Sequence, residues 1–224
     1  MSPAVQIPAK NNVPPALGRV ARRRADVRGR LLAVAEQLID ERGLDNVTID
    51  DITEAAGIAR RSFYHHFPAK HDVLIPMARA RADRLHARID RLVATVSDPA
   101  EVMSTAIRHA IRELSTDPLC RWFVAHSGLP QQRLFEGMSE SGMRDMQRGI
   151  EAGRFSGANT NVIRALVSGA FLATVSERAQ GRLNDEDVDD AVEYLLRMLG
   201  IDDDEATAIA HQPLLRLPRS RETD

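Results

Sequence analysis

The sequence predicts an all-α protein: a small N-terminal three-helix unit followed by a larger helical body, about nine or ten helices in all. Three observations predict it. Aromatic residues make up only 4% of the chain while Ala, Leu, Arg and Asp abound, a composition that favours helix over strand. Apolar residues recur at helical spacing from Val27 onward, and no alternating stretch is long enough for a sheet strand. Breaks fall where helices should stop or start, at Gly43, Gly57, Pro68, Ser97-Asp98-Pro99 and Asp117-Pro118.

The elements follow in order. Residues 1–24 read as a disordered basic arm, with four prolines before the cluster Arg19, Arg22, Arg23 and Arg24. Val27, Leu31, Val34, Ala35, Leu38 and Ile39 then form one helical stripe that Gly43 ends. Thr48 followed three residues later by Asp51 is a capping box, so a short helix starts there and stops at Gly57. A second short helix runs from about Ala59 to His66, ended by Pro68. Two such helices around a glycine turn form a helix-turn-helix, giving a domain at 25–71. Its buried side is expected from Ile49, Ile52, Ala56, Ile58 and Phe63. A long helix covers 70–95 with Pro76 near its start, and further helices are expected at 99–115, 118–127, 130–152, 159–181 and 185–199. These, with a short helix at 202–210, make a second domain at 72–210, followed by a polar tail at 211–224.

Charge is uneven. The formal net charge is −2, yet residues 1–96 carry 16 Lys/Arg against 11 Asp/Glu, whereas 97–224 carry 14 against 21. A basic front half suits contact with a polyanion. No run approaches about 18 uninterrupted apolar residues, so no membrane span is expected. The first residues lack the apolar core of a secretory leader. One cysteine, Cys120, excludes an internal disulfide framework and a multi-cysteine zinc site. Together these point to the cytoplasm. No G-x-S-x-G, P-loop or H-E-x-x-H occurs, so neither an enzyme nor a cofactor is expected.

The second short helix carries the chemistry. In a helix-turn-helix its N-terminal residues meet base edges in the major groove, and here those are Arg60, Arg61 and Ser62. An arginine fork donates twice to guanine. Tyr64 lies four residues beyond Arg60 and shares its face, while Phe63 points toward the core. His65, His66 and Lys70 are placed to donate to phosphates, as are backbone amides where the helices begin at Thr48 and Lys70.

The run Val-Thr-Ile-Asp-Asp-Ile-Thr-Glu-Ala-Ala-Gly-Ile-Ala-Arg-Arg-Ser-Phe-Tyr-His-His-Phe-Pro-Ala-Lys-His-Asp-Val-Leu, residues 47–74, resembles the DNA-binding signature of the TetR family of regulators. One departure is Ala59, where the family often has a capping Ser or Thr. The resemblance implies base contacts from Arg60, Arg61 and Tyr64, and phosphate contacts from Thr48, Ser62, His65, His66 and Lys70. It implies a transcriptional repressor that binds double-stranded, palindromic operator DNA as a homodimer and is released by a small, hydrophobic effector. The dimer would form through the last two long helices, where Ala165, Ser168, Gly169, Ala173, Leu195 and Leu199 are the expected contact residues. The effector pocket would lie among the middle helices, with Met103, Ile107, Trp122, Phe123, His126, Met143, Met146 and Phe171 as expected lining.

Overall fold

The computed structural model describes residues 15–125, 142–156 and 160–218, and among these every regular element is helical. They form two compact units, one ending at Val73 and one starting at Leu74.

The first unit starts with α1 (Pro15–Arg42). A helix from Pro15 departs from the expected arm at 1–24. Proline is favoured at the first helical position, and the Ala, Leu and Arg residues that follow are strong helix formers. Leu31, Ala35, Leu38 and Ile39 turn inward at helical spacing. A 3₁₀ turn (Leu44–Asn46) then buries Leu44. Thr48 caps α2 (Ile49–Ala56) through the anticipated box: its side chain accepts from the Asp51 amide, and Asp51 accepts from the Thr48 amide at 2.8 Å. Gly57 ends α2 in the left-handed region at φ 64°. Its amide bonds the Glu54 carbonyl at 3.0 Å, and the next amide, Ile58, bonds the Thr53 carbonyl at 2.9 Å. That pair of bonds is a Schellman closure, which glycine adopts without steric cost.

α3 (Arg60–His66) follows at once. Phe63 and Phe67 are fully sequestered, their rings 5.6 Å apart, and Ile52, Ala56 and Val47 of the same unit are buried as well. Ile49 and Ile58, expected inside, are only half-buried. Burying a phenylalanine of this kind contributes on the order of 2–3 kcal/mol, so the two rings are the main hydrophobic anchor of this short helix.

α4 (His71–Val93) contains Pro76. The proline lacks the amide that would bond the Asp72 carbonyl one turn back, yet the helix continues. The unit boundary falls inside α4. Beyond it Leu74, Met77, Leu85, Ile89 and Val93 are buried.

The second unit is organised around α5 (Pro99–Thr116), capped by Asp98, whose side chain accepts from the Ala100 amide at 3.1 Å. It is followed by α6 (Pro118–Ala125), α7 (residues 142–151), α8 (Thr160–Ala179), α9 (Asp185–Met198) and α10 (Asp203–His211). α5 packs against α6, α8, α9 and α10. The expected helix at 130–152 is described only from residue 142. Gly149 is needed where it stands, because a Cβ there would lie 2.0 Å from the Phe155 ring.

Polar contacts join these helices. Arg108, almost fully buried, grips Asp189 with Nε at 2.7 Å and Nη2 at 3.1 Å, and Arg112 reaches the same carboxylate at 2.7 Å. Arg154 clasps Asp98 (2.8 Å) and Glu205 (2.7 Å) at once, and its hydrogen bonds hold the Asp98 carboxyl below the usual range. The segment 212–218 was expected as part of a polar tail, but it is fastened down. Arg108 donates to the Gln212 carbonyl at 2.9 Å, His109 Nε2 pairs with the Leu215 carbonyl at 2.8 Å, and Arg88 donates to the Pro218 carbonyl at 2.6 Å. The gripped carbonyls are spaced by three residues, the repeat of an extended polyproline-like chain. Their partners lie more than a hundred positions upstream, which local sequence does not reveal. Among the described residues no helix is long and apolar enough to cross a membrane.

Candidate nucleic-acid interface

α2 and α3 present a polar outer face over the Phe63–Phe67 anchor. Arg60, Arg61, Tyr64 and His65 are exposed and Ser62 is half-buried. Arg61 is exposed, with no ion-pair or hydrogen-bond partner among the described residues. Arg60 is differently placed. Its Nη1 donates to both oxygens of Asp50, at 2.7 and 2.8 Å, while both side chains stay more than half exposed. A hydrogen bond with Tyr64, and then Asp50, hold the Arg60 proton more firmly than usual. The Tyr64 ring is 44% exposed and meets Phe63 edge-on at 5.8 Å. Arg60, Arg61 and Tyr64 are thus brought to one outward patch, and the partner of Arg60 comes from α2, ten residues upstream.

The expected phosphate-contacting residues divide. Thr48 is exposed but its hydroxyl is committed to the α2 cap, and these bonds to Thr48 lower the Asp51 pKa. Ser62 donates its amide to the Ala59 carbonyl at 2.7 Å, and Ala59 supplies no side-chain cap, as its methyl group dictates. Lys70 donates to the Leu44 carbonyl at 3.0 Å, tying the turn after α1 to the start of α4. An ammonium has three donors, so this bond leaves two for solvent or phosphate. His66 is half-buried with its Nδ1 enclosed and unpartnered. Burial, followed by the nearby charges of Arg24 and Arg28, pushes its pKa down, which favours the neutral ring with a single N–H donor.

Two arginines that the sequence reading left in or near the arm support this helix. Arg24 Nη2 donates to the His65 carbonyl at 3.3 Å, and the Arg28 guanidinium sits 4.8 Å above the Phe67 ring. A cation at a helix C-terminus meets the negative end of the dipole. Their i, i+4 spacing on α1 was the available signal. Arg22 and Arg23 are exposed beside them.

In the second unit the expected effector residues that are described lie buried or half-buried. Met103 and Met146 are core residues packed with Val192, Leu196 and Leu199, and Ile107 and Met143 lie at the edge of the same cluster. Phe123 is buried and meets Trp122 edge-on at 5.3 Å, and Phe171 is half-buried. His126 lies outside the described residues. A cleft of about 530 Å³ opens elsewhere, lined by Asp90, Val93, Val102, Arg144, Asp145 and Arg148 among others, none of them expected. Burial raises the Asp145 pKa there.

The expected dimer residues also divide. Ala165, Gly169 and Ala173 are exposed and Ser168 is half-buried on α8. Leu195 and Leu199 are 4% and 0% exposed, so they belong to the core of their own chain and are not contact residues. The reason is helical phase. On α9 the outward pair is Tyr194 and Met198, one residue earlier, at 66% and 36% exposure.

Comparison with known proteins fits this layout. Residues 31–76 match the model described as "Bacterial regulatory proteins, tetR family", and residues 98–212 match "Tetracyclin repressor-like, C-terminal domain". The chain is 38% identical over 85 residues to the HTH-type transcriptional repressor KstR2 of Mycobacterium tuberculosis, covering 38% of this chain and 42% of that protein. It is 36% identical over 72 residues to the HTH-type transcriptional regulator EthR of the same species, covering 32% of each. The matches thus span less than half the length of these curated relatives. A crystal structure of RolR in complex with resorcinol superposes with a TM-score of 0.77 at 29% identity, covering 88% of this chain and all of that one. With the second model alone spanning just over half of its length, the chain belongs to the tetR family of bacterial regulatory proteins.

Proposed function

We propose that this protein is a sequence-specific transcriptional repressor that binds a palindromic operator as a homodimer and leaves it when a small, largely apolar molecule binds. The observation that carries the reading is the outward patch of Arg60, Arg61 and Tyr64 on a helix whose other side is fixed by Phe63 and Phe67. A reading helix must be held rigidly if its side chains are to register with base edges. Arg60 and Arg61 are the base readers, Tyr64 packs beside them, and Ser62, His65 and Lys70 add contacts to the phosphate backbone.

The dimer forms through α8 and α9. Leu166, Tyr194 and Met198 expose large apolar surface, and Ala165, Gly169 and Ala173 let helices approach closely. A two-fold dimer presents two reading helices to half-sites about 34 Å or a multiple apart. Resorcinol bound to RolR, whose whole chain aligns with 88% of this one, supports a small aromatic effector. No catalytic step is assigned to any residue.

Selecting genomic fragments with the purified protein gives the operator, and anisotropy titrations then test the assignment. Arg61→Ala should lose about 1–3 kcal/mol on the operator and discriminate less against base changes. Unchanged specificity would reject Arg61 as a base reader. Binding that ignores sequence altogether would reject the repressor reading.

A further inference from the structure

Away from the reading head, one group of side chains assembles a mixed donor set at the junction of α9 and α10. Asp190 and Glu193 lie one turn apart on α9, and His211 is the last residue of α10. His211 Nε2 stands 2.8 Å from Glu193 Oε2 and 3.5 Å from Asp190 Oδ1, and the three donor atoms all lie within 4.8 Å of one another. We infer that Asp190, Glu193 and His211 form a binding site for a divalent transition-metal ion, with Zn²⁺ the best match.

Chemistry supports this choice. One imidazole nitrogen and two carboxylate oxygens are a nitrogen–oxygen set that zinc accepts, with a fourth position left to water. Two carboxylates match the charge of a divalent cation, and the imidazole favours zinc over magnesium or calcium, which prefer oxygen alone. Geometry supports it as well. Ligands bound about 2.0–2.1 Å from zinc in a tetrahedron stand roughly 3.3 Å apart. The two separations from His211, 2.8 and 3.5 Å, bracket that spacing, and the two carboxylates, within 4.8 Å of each other, close around an ion as it enters.

The surroundings hold the donors in place. Arg197 binds the other oxygen of Glu193 at 2.6 Å, orienting the carboxylate and leaving Oε2 directed at His211. Partners of this kind beyond the ligands fix ligand direction in metal sites. Arg197 also pairs with Asp203 at 3.2 Å, so its charge is shared with a second acid. The backbone of His211 is fixed from both sides: Ala210 before it is fully buried, and the Gln212 carbonyl after it is gripped by Arg108. Glu193 is largely buried at 13% side-chain exposure, whereas Asp190 and His211 are open at 57% and 39%, which gives an ion a way in.

A protonated His211 would make the same contacts as an ion pair, so the test must separate the two. The full chain is stripped with EDTA, dialysed, and titrated with Zn²⁺ against a chromogenic chelator, alongside thermal unfolding with Zn²⁺, with Mg²⁺ and with EDTA. Other histidines are available to take up zinc, so the readout is the difference between proteins. Wild type is expected to bind one equivalent more than Asp190→Asn or His211→Ala, and only wild type should gain thermal stability from Zn²⁺. Arg197→Met should weaken the site about tenfold. Asp190→Asn keeps the side-chain shape, so the comparison stands even if His211→Ala folds poorly. Equal zinc uptake by wild type and Asp190→Asn, or no uptake by wild type, overturns the site and leaves an ion pair.

Discussion

Asp50→Asn removes the ion pair that would compete with base reading by Arg60, and its effect follows from the exposure of the pair. Arg60 is held at 2.7 and 2.8 Å by Asp50, so on DNA its guanidinium must leave that carboxylate for a base edge. The side chains are 57% and 64% exposed, and an ion pair this wet shifts an equilibrium by no more than about fivefold. A bidentate arginine–guanine contact discriminates by about five- to 150-fold. The base therefore wins the exchange, and Asp50 takes back only a small part of the gain. Asparagine keeps the shape and removes the charge, so operator binding should tighten about two- to fivefold. Asp50 also lies in the first turn of α2, where losing its charge should cost about 0.3–1 kcal/mol of stability. The assay is anisotropy at fixed salt on operator and scrambled duplexes, with wild type, Asp50→Asn, Arg60→Ala and the double variant. The gain must be absent on scrambled DNA and vanish when Arg60 is alanine. A gain that survives in the double variant means Asp50 merely repels phosphate. Weaker operator binding means the pair aims Arg60 rather than restraining it. Either result refutes the competition.

Other predictions concern the scaffold. Gly57→Ala forces a Cβ into the left-handed region and should cost about 1–2 kcal/mol, read as a lower urea midpoint for the first unit; an unchanged midpoint would show that the closure after α2 tolerates side chains. Leu166→Asp and Tyr194→Asp each place a charge on the exposed α8–α9 face and should yield monomers by light scattering, with operator affinity falling together with dimerisation. A dimer that survives both changes forms elsewhere. Arg154→Met should cost about 1–2 kcal/mol at neutral pH, a modest figure because the ion-paired side chains are about a quarter exposed. Asp98 has a depressed folded pKa, so its share of that stability is present above the ordinary value of 3.8 and is lost as pH falls through the folded pKa. The gap between wild type and variant should therefore narrow below about pH 4 in acid unfolding curves.

Much of the helical layout was legible because this chain punctuates its helices with side chains whose effect is local. The Thr48–Asp51 box, the Gly57 stop and the Asp98-Pro99 start each depend on residues within four positions. The shared outward side of Arg60, Arg61 and Tyr64 was legible for the same reason, since the inner side of a two-turn helix needs Phe63. What escaped depends on distant partners. Nothing near Lys70 announces that the Leu44 carbonyl will accept from it, and nothing near His66 announces that its Nδ1 will be enclosed. On α9 two apolar pairs, Tyr194 with Met198 and Leu195 with Leu199, are offset by one residue. Both are spaced for a helix, so periodicity leaves the phase open, and only packing against the rest of the unit turns the leucines inward. Large apolar side chains on the middle helices satisfy a core and a pocket equally, and Met103 and Met146 went to the core.

The final stretch, from Gln212 to Pro218, is held by three main-chain oxygens that Arg108, His109 and Arg88 seize at every third residue. Such anchoring is blind to side-chain identity but sensitive to count. A point change at the exposed Arg216 leaves the anchoring oxygens where they are, whereas adding or removing one residue rotates every oxygen beyond it about a third of a turn out of register. Among relatives that keep the three anchoring side chains, the exposed positions of this stretch should drift in composition while its length stays fixed.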